Sequence, residues 1–399
     1  MNILLVANSP WSSGSYGSTP SFVAPRLREL GHNVEFLCNY GVEGAKAEWN
    51  GFNCWHRSDF DQSCDSVIEF YTDMLHPDIV ITHWDAWPIP PSFGIRKGVR
   101  WVPWFPIDRH PLSVRVASSI KTAYWLWPWC EDAKKTLEEK GFHNLTVVPL
   151  CTDTNLFKPL TILPDGTPAS KDIIKKNMGF EGKFVVGMVA ANMDYRKGIE
   201  RVMHAIAMLK DKIPEIKLLL HAPKVTPTGL NVDFLIAQNG VGDFVSMTNP
   251  KHFHLGLQRE EMAQLYNAMD ILVLPSAGEG FGLPILEANA CGVPAIATNY
   301  TAMPEVTYGR LLEPVSRVIC PDDHSYQAVV SDEDLAETIF DMYDAWKNSP
   351  EEFKLMQTEA REHALNWDVD KVVMESWVPA LALLEEKIKN ESETEKWLL

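Results

Sequence analysis

The chain has 399 residues, with 36 Lys and Arg against 53 Asp and Glu and a formal net charge of −17. This length favours two or three domains. The acidic balance argues against general nucleic-acid binding, which usually depends on a basic face.

The seven cysteines are scattered and show no metal-ligand spacing, so they predict reduced thiols in a cytoplasmic protein. The first apolar run is too short for a signal peptide and is instead expected to be a buried strand. No apolar segment is long enough for a transmembrane helix, so membrane contact is expected to be peripheral at most.

Short apolar runs alternate with amphipathic ones along the chain. In the first part, this pattern predicts strands at 2–7, 33–37, 78–82 and 146–149, and a helix at 19–30. Further on, it predicts strands at 184–190, 216–220, 271–275 and 295–298, helices at 199–209 and 260–269, and a helix-rich stretch at 332–388. Such alternation indicates parallel sheets covered by helices on both faces.

A stretch rich in Pro, Gly and small polar residues at 158–171 interrupts the pattern, and strand and helix signals restart after it. The prediction is therefore an α/β protein with two doubly wound, Rossmann-like domains, at 1–160 and 161–365, facing each other across a cleft. Ligands of such sheets bind outside the carboxyl ends of the strands. Residues 366–399 are expected to form a closing helical segment.

The clearest candidate binding site lies in PSAGEGFGLPILEANACGVP, from Pro275 to Pro294. A small, Gly-rich turn follows a strand, Pro284 suits the first turn of a helix, and Gly292 suits the residue past its end. Free backbone N–H groups at this helix start would favour phosphate or sugar oxygens. Glu279 and Glu287 can each accept paired hydrogen bonds from vicinal hydroxyls. Ordinary surface electrostatics would explain the two carboxylates equally well on their own.

Glu279 and Glu287, separated by seven residues with GFGLP between them, resemble the signature of retaining GT-B glycosyltransferases of family four, the glycosyl transferases group 1. The segments 256–276 and 147–159 are similar to that family's approach to the motif and its end-of-first-domain segment. Residues 366–377 resemble its closing helix, which crosses back onto the first domain.

The resemblance implies several roles. Glu287 would hold the nucleotide ribose and Glu279 the transferred sugar. The backbone at Gly280, Phe281, Gly282 and Leu283 would meet sugar hydroxyls and phosphate. The family's Gly-rich loop after the first strand corresponds to SGSYGST, with Gly17 as the best match for a donor contact.

Arg196 and Lys197 follow a strand, where positive charge can neutralise a departing diphosphate. A solvated basic turn is the alternative. The family usually places an Arg five residues before this Lys, and Asn192 occupies that position here. Lys197 is therefore the catalytic cation expected, and Arg196 either supplies the missing charge or points away.

On the acceptor side, family members often carry a His-Asp step, which WVPWFPIDRHP replaces with Ile107 and Asp108. Asp108 is a catalytic candidate, and His83, after the strand at 78–82, is an acceptor-side candidate. Ten of the fourteen Trp residues precede position 130, and their faces could stack on sugars or pack in the core. The stretch with Arg96, Lys97 and Arg100 is the local candidate for an anionic acceptor or a membrane patch.

The resemblance implies a retaining transfer of a hexose from a nucleoside diphosphate sugar, with UDP-glucose favoured and GDP-mannose next. No cofactor and no essential metal are expected, and the D-x-D pattern at Asp59 and Asp61 is interpreted as a solvated loop. The acceptor could be a sugar, a lipid-linked glycan, a small metabolite or a modified nucleobase. A nucleotide-sugar-binding protein without transfer activity and a sugar phosphorylase of the same fold are the alternatives. A glycosidase is disfavoured, because its carboxylates would not flank a phosphate-binding loop.

Overall fold

The computed structural model describes residues 1–57, 65–96, 99–163, 166–249 and 256–397. It divides into two compact units. Unit 1 comprises Met1–Ile107, Pro111–Cys151 and Trp367–Leu399, and unit 2 comprises Asp108–His110 and Thr152–Asn366.

Unit 1 is built on a seven-stranded sheet in the order β3-β4-β2-β1-β5-β6-β7. Its strands are β1 (Asn2–Ala7), β2 (Asn33–Cys38), β3 (Ala47–Trp49), β4 (Phe52–His56), β5 (Ile79–His83), β6 (Trp101–Phe105) and β7 (Trp127–Pro128). All neighbours pair in parallel except β3 with β4. The central strands are buried along nearly their whole length, as expected of a parallel sheet with both faces covered.

The helices of unit 1 come from both ends of the chain. Those of the first part are α1 (Ser15–Glu29), α2 (Asp65–Leu75), α3 (Val114–Ser119) and α4 (Glu131–Glu138), with short 3₁₀ turns at Phe93–Ile95 and Ile120–Thr122. Residues after Asn366 return to this unit. There Trp377 packs edge-on against Trp104 and Trp127, with ring centroids 4.8 and 5.1 Å apart.

Unit 2 is built on a six-stranded, fully parallel sheet in the order β10-β9-β8-β11-β12-β13. Its strands are β8 (Phe184–Val189), β9 (Ile216–His221), β10 (Val245–Met247), β11 (Ile271–Leu274), β12 (Ala295–Thr298) and β13 (Gly309–Leu312). A separate antiparallel hairpin pairs β14 (Ser316–Cys320) with β15 (Ser325–Val329).

The helices that cover unit 2 are α5 (Lys171–Asn177), α6 (Ile199–Leu209), α7 (Val232–Asn239), α8 (Arg259–Asn267), α9 (Leu283–Ala290), α10 (Met303–Val306), α11 (Asp332–Asn348) and α12 (Pro350–Ala364). Short turns lie at Gly242–Phe244 and Leu365–Trp367. In the closing part of unit 1, α13 (Val369–Val372) and a π turn (Val373–Trp377) lead into α14 (Val378–Trp397).

The predicted class, two doubly wound Rossmann-like sheets, is confirmed. The predicted strand at 146–149 is wrong. The backbone of that segment donates two hydrogen bonds to the edge of the sheet, from Thr146 N to Leu126 O (2.9 Å) and from Val148 N to Pro128 O (3.0 Å). Pro128 and Pro149 carry no N–H, so a regular ladder cannot continue there.

The long segment of unit 2 begins at Thr152, a few residues before the predicted boundary at 160. Arg361 explains this, because its guanidinium donates to the carbonyls of Thr154 and Phe157 at 2.9 and 2.8 Å. The side chain of Asn267 also bonds the backbone of Lys158 and Leu160. Across the residues that the structure describes, no helix combines the length and apolarity needed to cross a membrane.

Candidate functional site

The sheet of unit 2 reverses its strand order between β8 and β11. Strands added after β8 extend one side of the sheet, whereas strands added after β11 extend the other. In open α/β sheets, ligands bind outside the carboxyl ends of the strands at this reversal. The loop at 190–198 follows β8 and the loop at 275–282 follows β11, so both border the expected binding position.

The loop after β8 projects two cations. Asp194 takes a left-handed backbone (φ +42°) and its carboxylate accepts from the backbone N–H of Arg196 at 2.7 Å. Gly198, at φ +70°, then starts α6. The turn thus places Arg196 and Lys197 just before the helix.

Lys197 forms an ion pair with Glu279 across the two loops, with Nζ 2.6 Å from Oε1. Both side chains are mostly buried, at 13 and 11% exposure. Burial opposes ionisation of Glu279, but the charges of Lys197 and Arg196 outweigh it and hold the carboxyl pKa below its usual value. Burial lowers the pKa of Lys197, and Glu279 partly offsets this effect. The structure therefore brings together the two residues predicted to act on phosphate and sugar.

Arg196 points towards the loop after β11. Its guanidinium donates to the carbonyl of Gly278 at 3.0 Å and lies 3.4 Å from a carboxylate oxygen of Asp108. Gly278 must be glycine here, because a Cβ at this position would lie 2.1 Å from the Asp108 carbonyl oxygen. Of the two orientations expected for Arg196, the structure shows the one that faces the candidate site.

Asn192, which replaces the family's Arg, has a different role. Its side chain is buried, donates to the carbonyls of Pro223 and Leu230 at 3.0 and 2.6 Å, and accepts from Leu230 N at 2.8 Å. These three hydrogen bonds hold the loop after β9 in place.

The predicted helix start is confirmed. Gly282 occupies the N-cap with φ +104°, Pro284 lies in the first turn of α9, and Gly292 follows the helix end with φ +73°. The first N–H groups of a helix lack acceptors within the helix. The stretch Gly280 to Leu283 is buried and leads directly into this helix start.

Glu287 lies on α9 and receives a hydrogen bond of 2.7 Å from the hydroxyl of Tyr266, a fully buried residue of α8. Burial raises the pKa of Glu287 to about 7, although the bond from Tyr266 and the charge of Arg259 act in the opposite direction. The carboxyl group therefore titrates near neutral pH. Tyr266 was not among the predicted site residues, since no local spacing links two side chains on different helices.

The hairpin β14–β15 supports the loop after β11. Ala328 N donates to Ala277 O at 2.8 Å, and Ala277 N donates to Arg196 O at 2.7 Å. The hairpin also holds Asp108–His110. His110 O accepts from Tyr326 N at 2.8 Å, and Arg109 pairs with Asp323 at 3.1 Å. The predicted elements lack this hairpin, although two β-rich runs around PDDH could have indicated it.

Gly17 and His83 lie in unit 1. A Cβ at Gly17 would lie 2.1 Å from Ser12 Oγ and 2.6 Å from Ser9 O, so close packing of the preceding turn already requires glycine there. His83 is fully buried, with its ring 4.0 Å from that of Trp104. Burial lowers the pKa of His83 to about 3, which keeps its imidazole neutral. An enclosed, neutral ring is typical of a packing role, so the structure does not expose His83 as the acceptor-side prediction requires.

Asp59, Asp61 and Lys97 lie outside the described residues. Within the described ranges, no group of three or more His, Cys, Asp or Glu side chains is arranged to hold a metal ion.

Known proteins are similar in sequence to the part of the chain that contains this candidate site. Residues 170–310 match the family described as Glycosyl transferases group 1. An MMP alpha-(1->4)-mannosyltransferase of Mycolicibacterium hassiacum is 32% identical over 164 residues, 41% of this chain and 33% of that protein. A D-inositol 3-phosphate glycosyltransferase of Streptomyces bingchenggensis is 29% identical over 44% of this chain and 37% of that protein. The aligned part thus spans about a third of these relatives.

Solved structures share the fold over nearly the whole chain. A sucrose-phosphate synthase from Thermosynechococcus elongatus has a TM-score of 0.71 at 16% identity, covering 98% of this chain and 99% of that one. The Anabaena HepE protein, solved with UDP and glucose, has a TM-score of 0.68 at 15% identity, covering 95 and 99%. The match at 170–310 includes Arg196, Lys197, Glu279 and Glu287. The fold of the chain is therefore of the GT-B type, and its segment 170–310 is similar to the glycosyl transferases group 1 family.

Proposed function

We propose that the protein transfers a hexose, with retention of configuration, from a nucleoside diphosphate sugar to a hydroxyl acceptor. The observation that carries the proposal is the Lys197–Glu279 pair at the strand-order reversal of unit 2, beside the start of α9. One group of this pair suits a diphosphate and the other suits sugar hydroxyls. The family match over the same residues supports this assignment.

In the proposed reaction, the bond between the sugar's anomeric carbon and the phosphate oxygen breaks. The acceptor oxygen then bonds that carbon on the same face, and the acceptor proton passes to the departing phosphate oxygen. Lys197 and Arg196 would stabilise the charge that develops on the diphosphate, and Glu279 would orient the sugar. Glu287 would accept hydrogen bonds from the ribose.

Asp108 enters the proposal through its contact with Arg196. The sequence marked it as a catalytic candidate. The 3.4 Å approach supports a positioning role more directly, because the carboxylate orients the guanidinium beside Gly278.

The test is a screen of nucleotide sugars for release of the free nucleotide, with and without acceptors. UDP-glucose is the first donor, and GDP-mannose is the second, since several relatives are named mannosyltransferases. We expect release from one donor class and its loss in Glu279→Ala. Tight binding without release across the acceptor panel would favour a binding protein instead. Release of sugar 1-phosphate from a glycan by inorganic phosphate would identify a phosphorylase.

Transfer is proposed to be independent of metal, because Arg196 and Lys197 supply two positive charges where the diphosphate is proposed to bind. Full activity should therefore remain after dialysis against EDTA, measured by nucleotide release. Loss of activity that added Mg²⁺ or Mn²⁺ restores would contradict this expectation.

Donor affinity should depend on pH through Glu287. Only the ionised carboxylate is purely an acceptor for ribose hydroxyls, and burial raises its pKa to about 7. Affinity for an intact nucleotide sugar should therefore rise between pH 6 and pH 8, measured by calorimetry. An intact donor is preferable because its diphosphate has no group titrating near pH 6, unlike a free nucleotide.

Tyr266→Phe provides the control for this assignment. Its hydroxyl bond lowers the Glu287 pKa, so removing that bond should move the midpoint of the pH dependence upward. Tyr343→Phe removes a comparable Tyr-to-Glu hydrogen bond, 3.2 Å to Glu215, and should leave the midpoint in place. An unchanged midpoint in Tyr266→Phe would assign the titration to another group.

Arg196→Gln should weaken donor affinity by about 10- to 100-fold, since a hydrogen bond to a charged group contributes about 1.5–3 kcal/mol and each 1.4 kcal/mol is about tenfold in affinity. Asp108→Asn should have a smaller effect on affinity, because it removes only the partner that orients the guanidinium. Both are measured by calorimetry with the donor found in the screen. Wild-type affinity in Arg196→Gln would show that its guanidinium remains on Gly278 and Asp108 when the donor binds.

A further inference from the structure

The loop that follows β12 contains a strained residue, Thr301. Of the five residues other than glycine that the structure describes with a positive φ, Thr301 at +52° is the only one branched at Cβ. This left-handed conformation is costly for such a side chain, because the groups on its Cβ crowd the backbone. Strain of this kind persists only where surrounding contacts impose it, and it is found mainly at functional sites.

The hydroxyl of Thr301 connects two backbone groups. It accepts a hydrogen bond from the backbone N–H of Glu279 at 3.1 Å and donates one to the carbonyl of Tyr300 at 2.8 Å. Thr301 and Glu279 are both buried, at 5 and 8% exposure. Loss of the hydroxyl would therefore leave the Glu279 N–H buried without this acceptor, which is unfavourable in a folded protein.

The loop after β11 is held at each of three successive residues. The carbonyl of Ala277 accepts from the hairpin β14–β15, and the carbonyl of Gly278 accepts from Arg196. The next residue is Glu279, whose N–H is bound by Thr301. Thr301 thus holds the backbone of the residue whose carboxylate is proposed to orient the sugar.

Tyr300 anchors the strained turn from the other side. Its hydroxyl donates to the carbonyl of Tyr326 at 2.9 Å and accepts from the backbone N–H of His110 at 3.0 Å. Its ring lies 5.2 Å from the ring of His110, and the guanidinium of Arg317 lies 5.6 Å from its centre. These contacts fix the residue before Thr301, so the fold around the turn maintains the left-handed backbone.

The strain and the hydroxyl of Thr301 indicate the same role. Glycine would adopt this backbone without steric cost, but it has no side-chain oxygen to accept the hydrogen bond of Glu279. Short polar side chains bond nearby backbone groups in this way in turns. The hydroxyl is therefore the property that threonine brings to this position.

We infer that Thr301 is a positioning residue, whose hydroxyl fixes the backbone of Glu279 so that its carboxylate meets both Lys197 and the transferred sugar. The contact with the sugar rests on the proposed transfer reaction. The contact with Lys197 is present in the protein without a ligand. The inference can therefore be tested both with turnover and without it.

Three substitutions of Thr301 separate the hydroxyl from the strain. Thr301→Val removes the hydroxyl and keeps the branched shape, Thr301→Gly removes the hydroxyl and relieves the strain, and Thr301→Ser keeps the hydroxyl. With the donor found in the screen, we expect the Val and Gly variants to lower kcat by about tenfold or more, because small displacements of reacting groups are costly in rate. The KM for the donor should change less than kcat, and Thr301→Ser should retain wild-type kcat. Wild-type kcat in both the Val and Gly variants would overturn the inference, as would wild-type kcat in Thr301→Gly alone.

Thr307→Val is the matched control. The hydroxyl of Thr307 donates to the carbonyl of Met303 at 2.7 Å, in the segment that follows the strained turn. The substitution removes a comparable hydroxyl bond to the backbone, and it should leave kcat at the wild-type value. An equal loss of kcat in Thr307→Val and Thr301→Val would attribute the effect to general loosening of this segment and contradict a specific role of Thr301.

A second experiment needs no turnover. The coupling between Lys197 and Glu279 is measured by urea unfolding of the two single Ala variants and the double variant, in the wild-type and in the Thr301→Val background. We expect a weaker coupling in the Thr301→Val background, because the carboxylate is no longer held opposite the ammonium. Equal coupling in both backgrounds would refute the positioning role. Failure of the proposed function has a different signature, namely no nucleotide release from any donor while the coupling still falls in Thr301→Val.

Discussion

Replacing Lys197 by Ala should lower the turnover number for nucleotide release by about 10²- to 10³-fold, the usual effect of removing one preorganised group that stabilises transition-state charge. Lys197 is the cation whose position is most tightly defined in the candidate site, with its ammonium 2.6 Å from Glu279. Steady-state kinetics with the donor identified in the screen would measure the effect. A loss below about tenfold would show that Arg196 alone carries the leaving-group role.

The same substitution should also destabilise the folded protein, because it leaves the nearly buried Glu279 carboxylate without its partner. Breaking a buried pair in this way costs about 3–5 kcal/mol. The double variant Lys197→Ala with Glu279→Ala removes both charges, so its free energy of unfolding should exceed that of the single Lys197 variant. Activity should not recover with stability. Recovery of both would mean that the single variant lost activity through misfolding.

Much of the geometry of the proposed donor site could be predicted, because it is encoded by residues close together in the sequence. Glu279, Gly282, Pro284 and Glu287 lie within one strand–loop–helix unit, where φ angles, caps and helix starts depend on neighbouring residues. The strand at Ala295–Thr298 and the helix at Ile199–Leu209 have the predicted bounds for the same reason. Each has a continuous apolar run or helical period limited by Gly or Pro.

Features that depend on contacts between distant segments could not be predicted. Nothing local indicates that Asn192 fixes a loop near Leu230, that Arg196 approaches Asp108, or that Tyr266 bonds Glu287. The burial of His83 also depends on contacts between distant segments, and it was likewise not predicted. Its position after a strand predicted access to a ligand, but packing against Trp104 and Trp129 encloses it.

Gly198→Ala should reduce both stability and transfer, although this residue has no side chain in the candidate site. Its backbone has φ +70°, and a Cβ there would lie 2.7 Å from Pro275 O and 2.9 Å from Pro275 Cγ. Two costs therefore add: the left-handed backbone, about 1–2 kcal/mol, and overpacking against a rigid neighbour, about 1–3 kcal/mol. Relief of the clash requires the loop carrying Glu279 to move away from Lys197. A shift of about 1 Å in reacting groups can cost about 10²-fold in rate.

Gly182 separates the two costs, because it has nearly the same backbone, φ +68°, but an added Cβ there would meet no atom within 4 Å. Gly182→Ala should therefore lose only the backbone term of about 1–2 kcal/mol and keep wild-type turnover per folded molecule. Urea unfolding and nucleotide release, measured on both variants, make the comparison. Equal destabilisation with wild-type turnover in both would show that the loop after β11 yields to the extra methyl group. The spacing between Lys197 and Glu279 would then not depend on the close contact of Gly198 with Pro275.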